Sequence, residues 1–177
     1  MNEIRGDVGR KPSRRNYQNS LGAWRKRKGE MAESAFLNKT VSLGFGVAKP
    51  WGDSDHYDFI LDSGTRLWRV QVKSAYRCSK KGYYHIHTTG GSQVPYTPEE
   101  VDVLVAYISP VRVWYVIPVA EIVRTACIDF CPNGLHKRSR FEKYREAWCW
   151  LACQTGKTAV QEQCSDGGKC PMKQELR

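Results

Sequence analysis

The sequence predicts a mixed α/β (α+β) fold whose elements follow the order helix, three strands, turn, two strands, helix. Residues 57–75 form two β-rich segments on either side of a turn, and residues 29–43 have apolar side chains at helical spacing. Residues 101–108 and 111–117 are rich in β-branched and aromatic residues, which is typical of strands. A chain of 177 residues has the length of one domain with a substantial core.

The first helix is predicted around residues 29–43. Its apolar side chains lie near one stripe, which we expect to face the sheet: Ala32, Ala35, Phe36 and Leu43. Gly44 follows directly, and a glycine at this place is typical of a helix end.

The hairpin at residues 57–75 turns at Asp62, Ser63 and Gly64. Side chains alternate between the two faces of a strand. One face of the second strand therefore carries Trp68, Val70 and Val72, and the other carries Leu67, Arg69, Gln71 and Lys73. Asp58 on the first strand is expected to lie near Gln71 and Lys73, so that an acid, an amide and an amine meet at one edge of the sheet.

The remaining elements are predicted from shorter signals. Residues 83–88 alternate as a third strand, and Thr97 with Glu100 has the pattern of a helix-capping box around a short turn. Pro118 closes the second of the two later strands, at residues 111–117. A short helix is predicted at residues 119–125, and a longer one at residues 141–152.

The hairpin pattern resembles the PD-(D/E)XK nuclease superfamily, in which an Asp on one strand precedes Asp or Glu, any residue and Lys on the next. Here the pattern is Asp58 followed by Gln71, Val72 and Lys73, with a neutral Gln in place of the second acid. The wider run Gly-Phe-Gly-Val-Ala-Lys-Pro-Trp-Gly-Asp-Ser-Asp-His-Tyr-Asp-Phe-Ile-Leu-Asp, followed by Leu-Trp-Arg-Val-Gln-Val-Lys-Ser, is similar to the branch associated with group I introns, which uses Gln-x-Lys. The resemblance covers about residues 28–152.

This resemblance implies a restriction-endonuclease-like αβββαβ core with a mixed central sheet and a C-terminal helix. It places a nuclease domain at residues 29–152, after a basic flexible arm at residues 1–28 and before a polar tail at residues 153–177.

Phosphodiester hydrolysis needs an activated water and neutralisation of phosphate charge, which a hard divalent cation supplies. Asp58 is the best single ligand for Mg²⁺, for which Mn²⁺ is the expected substitute, and Gln71 offers its side-chain oxygen. The resemblance adds the Val72 backbone carbonyl and the helix acid Glu33. Lys73 would orient or deprotonate the attacking water. Glu30 is the alternative to Glu33, and either could instead pair with a helix lysine, as Lys73 could pair with Asp58 or Asp62.

The charge distribution predicts a polyanionic partner. The net charge is +10, and residues 1–28 hold nine Lys or Arg against two acids, a net of +7. A basic arm ahead of a nearly balanced domain favours double-stranded DNA, although a solubilising tail is the alternative. The predicted DNA contacts are Arg25, Lys26, Arg27, Lys28, Trp51, Arg77, Lys80, Lys81, Lys137, Arg138 and Arg140. Trp51 could equally cover the core.

The sequence contains no apolar run of membrane-spanning length and no signal-peptide pattern, which predicts a cytoplasmic protein without membrane contact. Its seven cysteines should then be mostly reduced. The spacings Cys127/Cys131 and Cys149/Cys153 leave a zinc site open as the less favoured alternative. His56 is interpreted as structural or DNA-facing rather than catalytic.

These observations predict a Mg²⁺-dependent, site-specific DNA endonuclease similar to group I intron homing endonucleases. Cutting both strands favours a symmetric homo-oligomer, a dimer or a tetramer. The alternatives are a junction-resolvase-like or repair nuclease of the same fold, and a DNA-binding protein without cleavage activity. Gln71 in the place of an acid keeps the last alternative open.

Overall fold

The structure, a computed structural model, describes residues 14–52, 54–133 and 140–152, with side chains from residue 22 onwards. The elements in chain order are α1 (Arg14–Ser42), β1 (Gly46–Ala48), β2 (Phe59–Asp62), β3 (Leu67–Ala75), β4 (Tyr84–His87), β5 (Val103–Ile108), β6 (Val113–Pro118), β7 (Cys127–Phe130) and α2 (Cys149–Ala152). Three short 3₁₀ turns lie at Ser109–Val111, Val119–Glu121 and Glu142–Tyr144. Among the described residues, no helix is long and apolar enough to cross a membrane.

A mixed five-stranded sheet in the order β1-β2-β3-β5-β6 forms the centre of the fold. β3 pairs in parallel with β5, and the other neighbours are antiparallel. Ala32 and Phe36 of α1 pack on the sheet face that carries Trp68, Val70 and Val72. A second cluster, on the β5 and β6 side chains of the opposite face, includes Leu104, Ala106, Tyr115 and Ile117. The predicted mixed α/β fold and the two faces of β3 are confirmed.

Helix α1 begins at Arg14, well before the predicted residue 29, and ends at Ser42 as expected, with Gly44 at φ +83°. Residues 14–28 of the predicted basic arm are therefore helical, and residues 1–13 lie outside the described residues. The segment contains four Arg and two Lys residues, which are good helix formers. Once the buried turns around Ala32 and Phe36 have formed, extending the helix costs far less than starting one.

The third strand of the central sheet is not the predicted one. The first three strands are β1, β2 and β3, whereas β4, predicted at residues 83–88, pairs with β7 in a separate two-stranded sheet. Both edges of β3 are already occupied, by β2 and by β5. The three-residue β1 and the four-residue β7 were missed because such short segments carry little periodicity.

The C-terminal helix predicted over residues 141–152 is also wrong. A 3₁₀ turn and the four-residue α2 replace it, with Arg145 extended and Glu146 at φ +48° between them. The Glu146 N–H donates to the Trp114 carbonyl at 2.8 Å, and the Trp114 N–H donates to Glu146 Oε1 at 2.9 Å. These bonds to the β6 edge replace the bonds that a continuous helix would make.

Two smaller differences concern the ends of β6. The strand begins at Val113 rather than at residue 111, after Arg112 in the left-handed conformation at φ 53°. The helix predicted at residues 119–125 is reduced to a 3₁₀ turn at Val119–Glu121. The capping turn is confirmed, because Glu100 Oε2 accepts bonds from the Thr97 N–H at 3.2 Å and the Thr97 hydroxyl at 3.3 Å.

Asp102 joins the hairpin to the start of β5. Its side chain is 12% exposed, and Oδ2 accepts bonds from the Arg69 N–H at 2.8 Å and Nε at 3.1 Å. Arg66 contacts Oδ1 at 3.1 Å. Burial alone raises the pKa of Asp102, but the Arg69 hydrogen bonds and the charges of Arg69 and Arg66 outweigh it, so the net pKa is lowered. This ion pair holds β3 in register beside β5.

Asp102→Ala is expected to lower the free energy of unfolding by about 2–4 kcal/mol, because it leaves the Arg69 N–H and guanidinium without their acceptor. Since the folded-state pKa is depressed, the stabilisation is present above about pH 4 and is lost as the pH falls through the folded pKa. Urea unfolding at pH 7 and at pH 3 measures both effects. The exposed Asp55→Ala variant is the control, and an equal loss in both variants would contradict the role of Asp102.

Candidate active site

Asp58 lies one residue before the first residue of β2. At this place β3 extends beyond its pairing with β2. Its N–H donates to the Val70 carbonyl at 2.9 Å, which prolongs the β2–β3 ladder by one bond. Its carboxylate Oδ2 accepts bonds from the Val72 N–H at 2.8 Å and from Gln71 Nε2 at 2.6 Å. The structure thus brings Asp58 and Gln71 together, as the hairpin register predicted.

The Val72 carbonyl faces the edge of β3 beyond the end of β2. Peptide groups two residues apart in a strand point to the same side. The N–H and carbonyl of Val72 therefore point to the side on which Val70 pairs with β2, but beyond the end of β2. The Asp58 carboxylate accepts the hydrogen bond from that N–H, in the place of a neighbouring strand. Gln71 Nε2 donates a long bond to the Val72 carbonyl, at 3.3 Å. A backbone oxygen beside a carboxylate is suited to a hard cation.

Glu33 projects from α1 towards this edge. Its neighbours Ala32 and Phe36 are buried against the sheet, and Glu33 itself is half-buried. Lys49, just after β1, holds Glu33 Oε2 at 2.7 Å. Glu30, one turn earlier, is exposed. Of the two candidate helix acids, Glu33 is the one whose charge acts on Asp58.

Lys73 is two residues beyond Gln71 on the same face of β3. Its Nζ lies 5.3 Å from the centre of the Tyr96 ring, and its charge acts on Asp58. A cation over an aromatic face is held loosely in one region. Lys73 therefore lies over the buried Tyr96 ring near Asp58, while its side chain remains partly open to solvent.

The Asp58 carboxylate is in an unfavourable place for a negative charge. Its pKa is raised, chiefly by burial, and the charge of Glu33 raises it further. The Val72 N–H, the charge of Lys73 and the Gln71 hydrogen bond act in the opposite direction but do not outweigh burial. A partly buried carboxylate whose pKa is raised by burial and by a second nearby carboxylate is suited to a bound cation.

The donor atoms available here are all oxygens: two carboxylates, from Asp58 and Glu33, the Val72 carbonyl and the amide oxygen of Gln71. Oxygen donors of this kind fit Mg²⁺ or Mn²⁺ rather than a softer metal. In this conformer Gln71 Nε2 faces both Asp58 and the Val72 carbonyl, so the amide group must turn over for its oxygen to join them at a cation.

Most of the residues predicted to contact DNA are exposed in the part of the chain that the structure describes. Arg25, Lys26, Arg27, Arg77, Lys80, Lys81 and Arg140 are exposed, and Trp51 is fully exposed at 100%, so it does not cover the core. Lys28 is half-buried, with its Nζ 4.8 Å from the centre of the Tyr76 ring. The Tyr76 hydroxyl donates to the Lys28 carbonyl at 2.9 Å, which ties the basic part of α1 to the end of β3. Lys137 and Arg138 lie outside the described residues.

Lys49 and Tyr96 are site residues that sequence reasoning missed. Lys49 is in a loop between strands and Tyr96 in another, and neither belongs to a periodic pattern. Their approach to Glu33 and Lys73 depends on how separate loops fold back over the sheet. His56, interpreted as structural or DNA-facing, is exposed, with its Nε2 3.7 Å from Glu100 Oε1.

Of the four cysteines considered for zinc, three lie in the described residues. Cys127 is exposed on β7, whereas Cys131 is buried in the core. Cys149 is at the start of α2, and Cys153 lies outside the described residues.

Glu33→Gln is expected to reduce DNA cleavage about 10–100-fold more than Glu30→Gln, because only Glu33 acts electrostatically on Asp58. Both variants should retain DNA binding, since neither removes a positive charge. Single-turnover cleavage rates with a gel-shift measurement of binding test this. The opposite ranking would assign the helix acid to Glu30.

Comparisons with known proteins agree with this geometry. The chain matches the family model described as PD-(D/E)XK endonuclease over residues 24–149. It is similar to a solved bacterial homing endonuclease, I-Ssp6803I, with 32% identity and a TM-score of 0.63 over 72% of this chain and 90% of that chain. The match shows a restriction-endonuclease-like fold. No protein in the curated set matches the chain.

Proposed function

Since the chain belongs to the PD-(D/E)XK endonuclease family, we propose that it is a Mg²⁺-dependent, site-specific DNA endonuclease of the group I intron homing type. The observation that carries this proposal is the cluster of Asp58, Gln71 and the Val72 peptide at the open edge of β3, with Lys73 beside it. Similarity to a bacterial homing endonuclease favours this substrate class.

These four oxygen donors would hold a divalent cation, Mg²⁺ or Mn²⁺, which would supply Lewis-acid stabilisation of phosphate charge. Asp58 and Glu33 would be the anionic ligands, and the Val72 carbonyl and the Gln71 amide oxygen the neutral ones. Lys73 orients the attacking water and offsets charge on the phosphate, and it can take the proton of that water. Lys49 neutralises Glu33 before substrate arrives.

DNA binding is assigned to the positive groups around this edge. Arg25, Lys26 and Arg27 are exposed on α1, and the Lys28 backbone is tied to Tyr76 directly after β3. The exposed Arg77, Lys80 and Lys81 follow along the same chain segment. Such side chains contact phosphates without reading sequence. Trp51, on its exposed loop, is available to contact the duplex directly.

A homing endonuclease cuts both strands, and one chain supplies one such cluster. We therefore propose a symmetric homo-oligomer, a dimer or a tetramer, that presents two clusters to one duplex.

The proposal is tested with the purified full chain and two plasmids. One contains the uninterrupted host gene and the other the same gene with its intron. In Mg²⁺, the uninterrupted plasmid should be cut at one mapped site and the interrupted one should remain intact. Preferential cutting of four-way junctions would indicate a resolvase-like enzyme instead. DNA binding without cutting in either Mg²⁺ or Mn²⁺ would indicate a protein that has lost cleavage.

Gln71→Glu tests whether this side chain is a metal ligand. Gln71 is 8% exposed and bonds Asp58 at 2.6 Å, so a second carboxylate here would repel the first when no metal is bound. We expect the variant to lose about 1–3 kcal/mol of stability in EDTA and to regain it in Mg²⁺. Thermal unfolding with and without Mg²⁺ measures this. An equal response to Mg²⁺ in the wild type and the variant would place Gln71 outside the metal site.

A further inference from the structure

The two-stranded sheet of β4 and β7, here called the ribbon, has one face in the core and one in solvent. Tyr84, Ile86, Ile128 and Phe130 are buried, and the side chains between them are exposed. The exposed side chains are His85 and His87 on β4, and Cys127 and Asp129 on β7. His85 pairs with Asp129 and His87 with Cys127 across the strands. The four residues therefore share one face in two adjacent cross-strand pairs.

Three of these residues already bring metal-binding atoms together. One ligand atom each from His85, Cys127 and Asp129 lies within 4.8 Å of the others. His85 Nδ1 is in direct contact with Asp129 Oδ1, and these two side chains are 50% and 51% exposed. A tetrahedral zinc ion needs its ligand atoms about 3.3–3.8 Å apart, given Zn–N and Zn–S bonds of about 2.0–2.3 Å. Side-chain rotations in solvent are sufficient to reach that spacing.

The types of residue on the exposed face of the ribbon also favour a metal site. The chain has four histidines, and two of them lie on this face beside an exposed cysteine. Imidazole, thiolate and one carboxylate are ligands of zinc, in contrast to the oxygen-only donors around Asp58. The ribbon residues are also far apart in sequence, so their meeting arises from the pairing of β4 with β7.

We propose that the exposed face of the ribbon binds one Zn²⁺ through His85, Cys127 and Asp129, with His87 as the fourth ligand. On binding, the Cys127 thiol releases its proton to solvent and the sulfur coordinates as thiolate, so affinity rises with pH. The ion connects two strands of only four residues each, which have no other strand partners in the described sheet. Zinc therefore stabilises the ribbon, in a site separate from the nuclease cluster.

The test uses the full-length chain carrying Asp58→Asn, so that the nuclease cluster binds metal weakly, after removal of metal by a chelator. Zn²⁺ is titrated in competition with a chromophoric chelator, and Co²⁺ is used as a spectroscopic probe. We expect one Zn²⁺ per chain with a Kd below about 1 μM. The Co²⁺ form should show a thiolate charge-transfer band and the visible bands of tetrahedral coordination. Saturating Zn²⁺ should raise the melting temperature by about 5–10 °C.

Cys127→Ser and Asp129→Asn should each weaken Zn²⁺ binding at least about tenfold, and Cys127→Ser should remove the thiolate band. Cys78→Ser is the matched control, because Cys78 is also an exposed free cysteine but lies outside the ribbon. It should leave both measurements unchanged. The proposal is overturned if binding is weaker than about 100 μM or if the thiolate band survives Cys127→Ser. Equal losses in the Cys78→Ser variant would overturn it as well.

Discussion

Asp58→Asn should abolish DNA cleavage, with a rate loss of about 10³-fold or more, while DNA binding remains equal or becomes tighter. The change removes the anion that we propose as the central metal ligand, and metal stabilisation of phosphate charge contributes several kcal/mol, each 1.36 kcal/mol being about tenfold in rate. It also removes a negative charge close to where a phosphate must lie. Single-turnover cleavage and a binding titration in Ca²⁺ separate these two effects.

Asp62→Asn is the matched control for this prediction. Asp62 is at the other end of β2 and is exposed, with its Oδ1 accepting a bond from the Gly64 N–H at 2.8 Å. Its loss should leave cleavage within about twofold, because surface substitutions of this kind have small effects. Equal rates for the wild type and Asp58→Asn would refute the proposed site.

The same Asp58→Asn variant should be at least as stable as the wild type without metal. Burial raises the pKa of Asp58, so its charged form costs stability at neutral pH. With a raised folded-state pKa, stability falls as the pH rises through the interval between the unfolded and folded values, and the neutral Asn removes that fall. Thermal unfolding in EDTA checks this, and a lower melting temperature for the variant would mean that its hydrogen bonds outweigh the burial cost.

Lys73→Ala should reduce cleavage by about 10²–10⁴-fold, which is the usual loss when a positioned proton-transfer group is removed. Lys73 lies over the Tyr96 ring and its charge acts on Asp58, so alanine removes both the cation and the amine from this part of β3. Lys73→Arg distinguishes two roles. Arginine keeps the charge but cannot give up a proton in this pH range, so it restores activity only if the charge alone matters.

Lys81→Ala is the control for Lys73. Lys81 is exposed in the turn before β4 and belongs to the proposed phosphate-contacting group. Its loss should weaken DNA binding modestly and reduce the dependence of binding on salt, with little change in the single-turnover rate at saturation. If the Lys73→Ala variant cleaved DNA at the same rate as the Lys81→Ala variant, this result would contradict a role for Lys73 in the chemical step.

The sequence alone determined those features of the structure that depend on residues close together in the chain. The alternation of β3 separated Trp68 and Val70 from Gln71 and Lys73, because side chains in a strand alternate whatever the tertiary contacts. The turn at Asp62 and Gly64 then set which residues of β2 face β3, and so brought Asp58 to Gln71. Gly44 marked the end of α1 for an equally local reason.

Tertiary structure decided the elements whose local signals competed with distant partners. Residues 141–152 have helical spacing, yet Glu146 bonds to Trp114 instead, because those bonds satisfy the exposed edge of β6. The start of α1 at Arg14 depends on propagation from its buried turns. Pairing of Lys49 with Glu33, and of β4 with β7, joins segments separated by long stretches of chain. Only the packing of the whole sheet determines which of those segments meet, since chain connectivity leaves many pairings open.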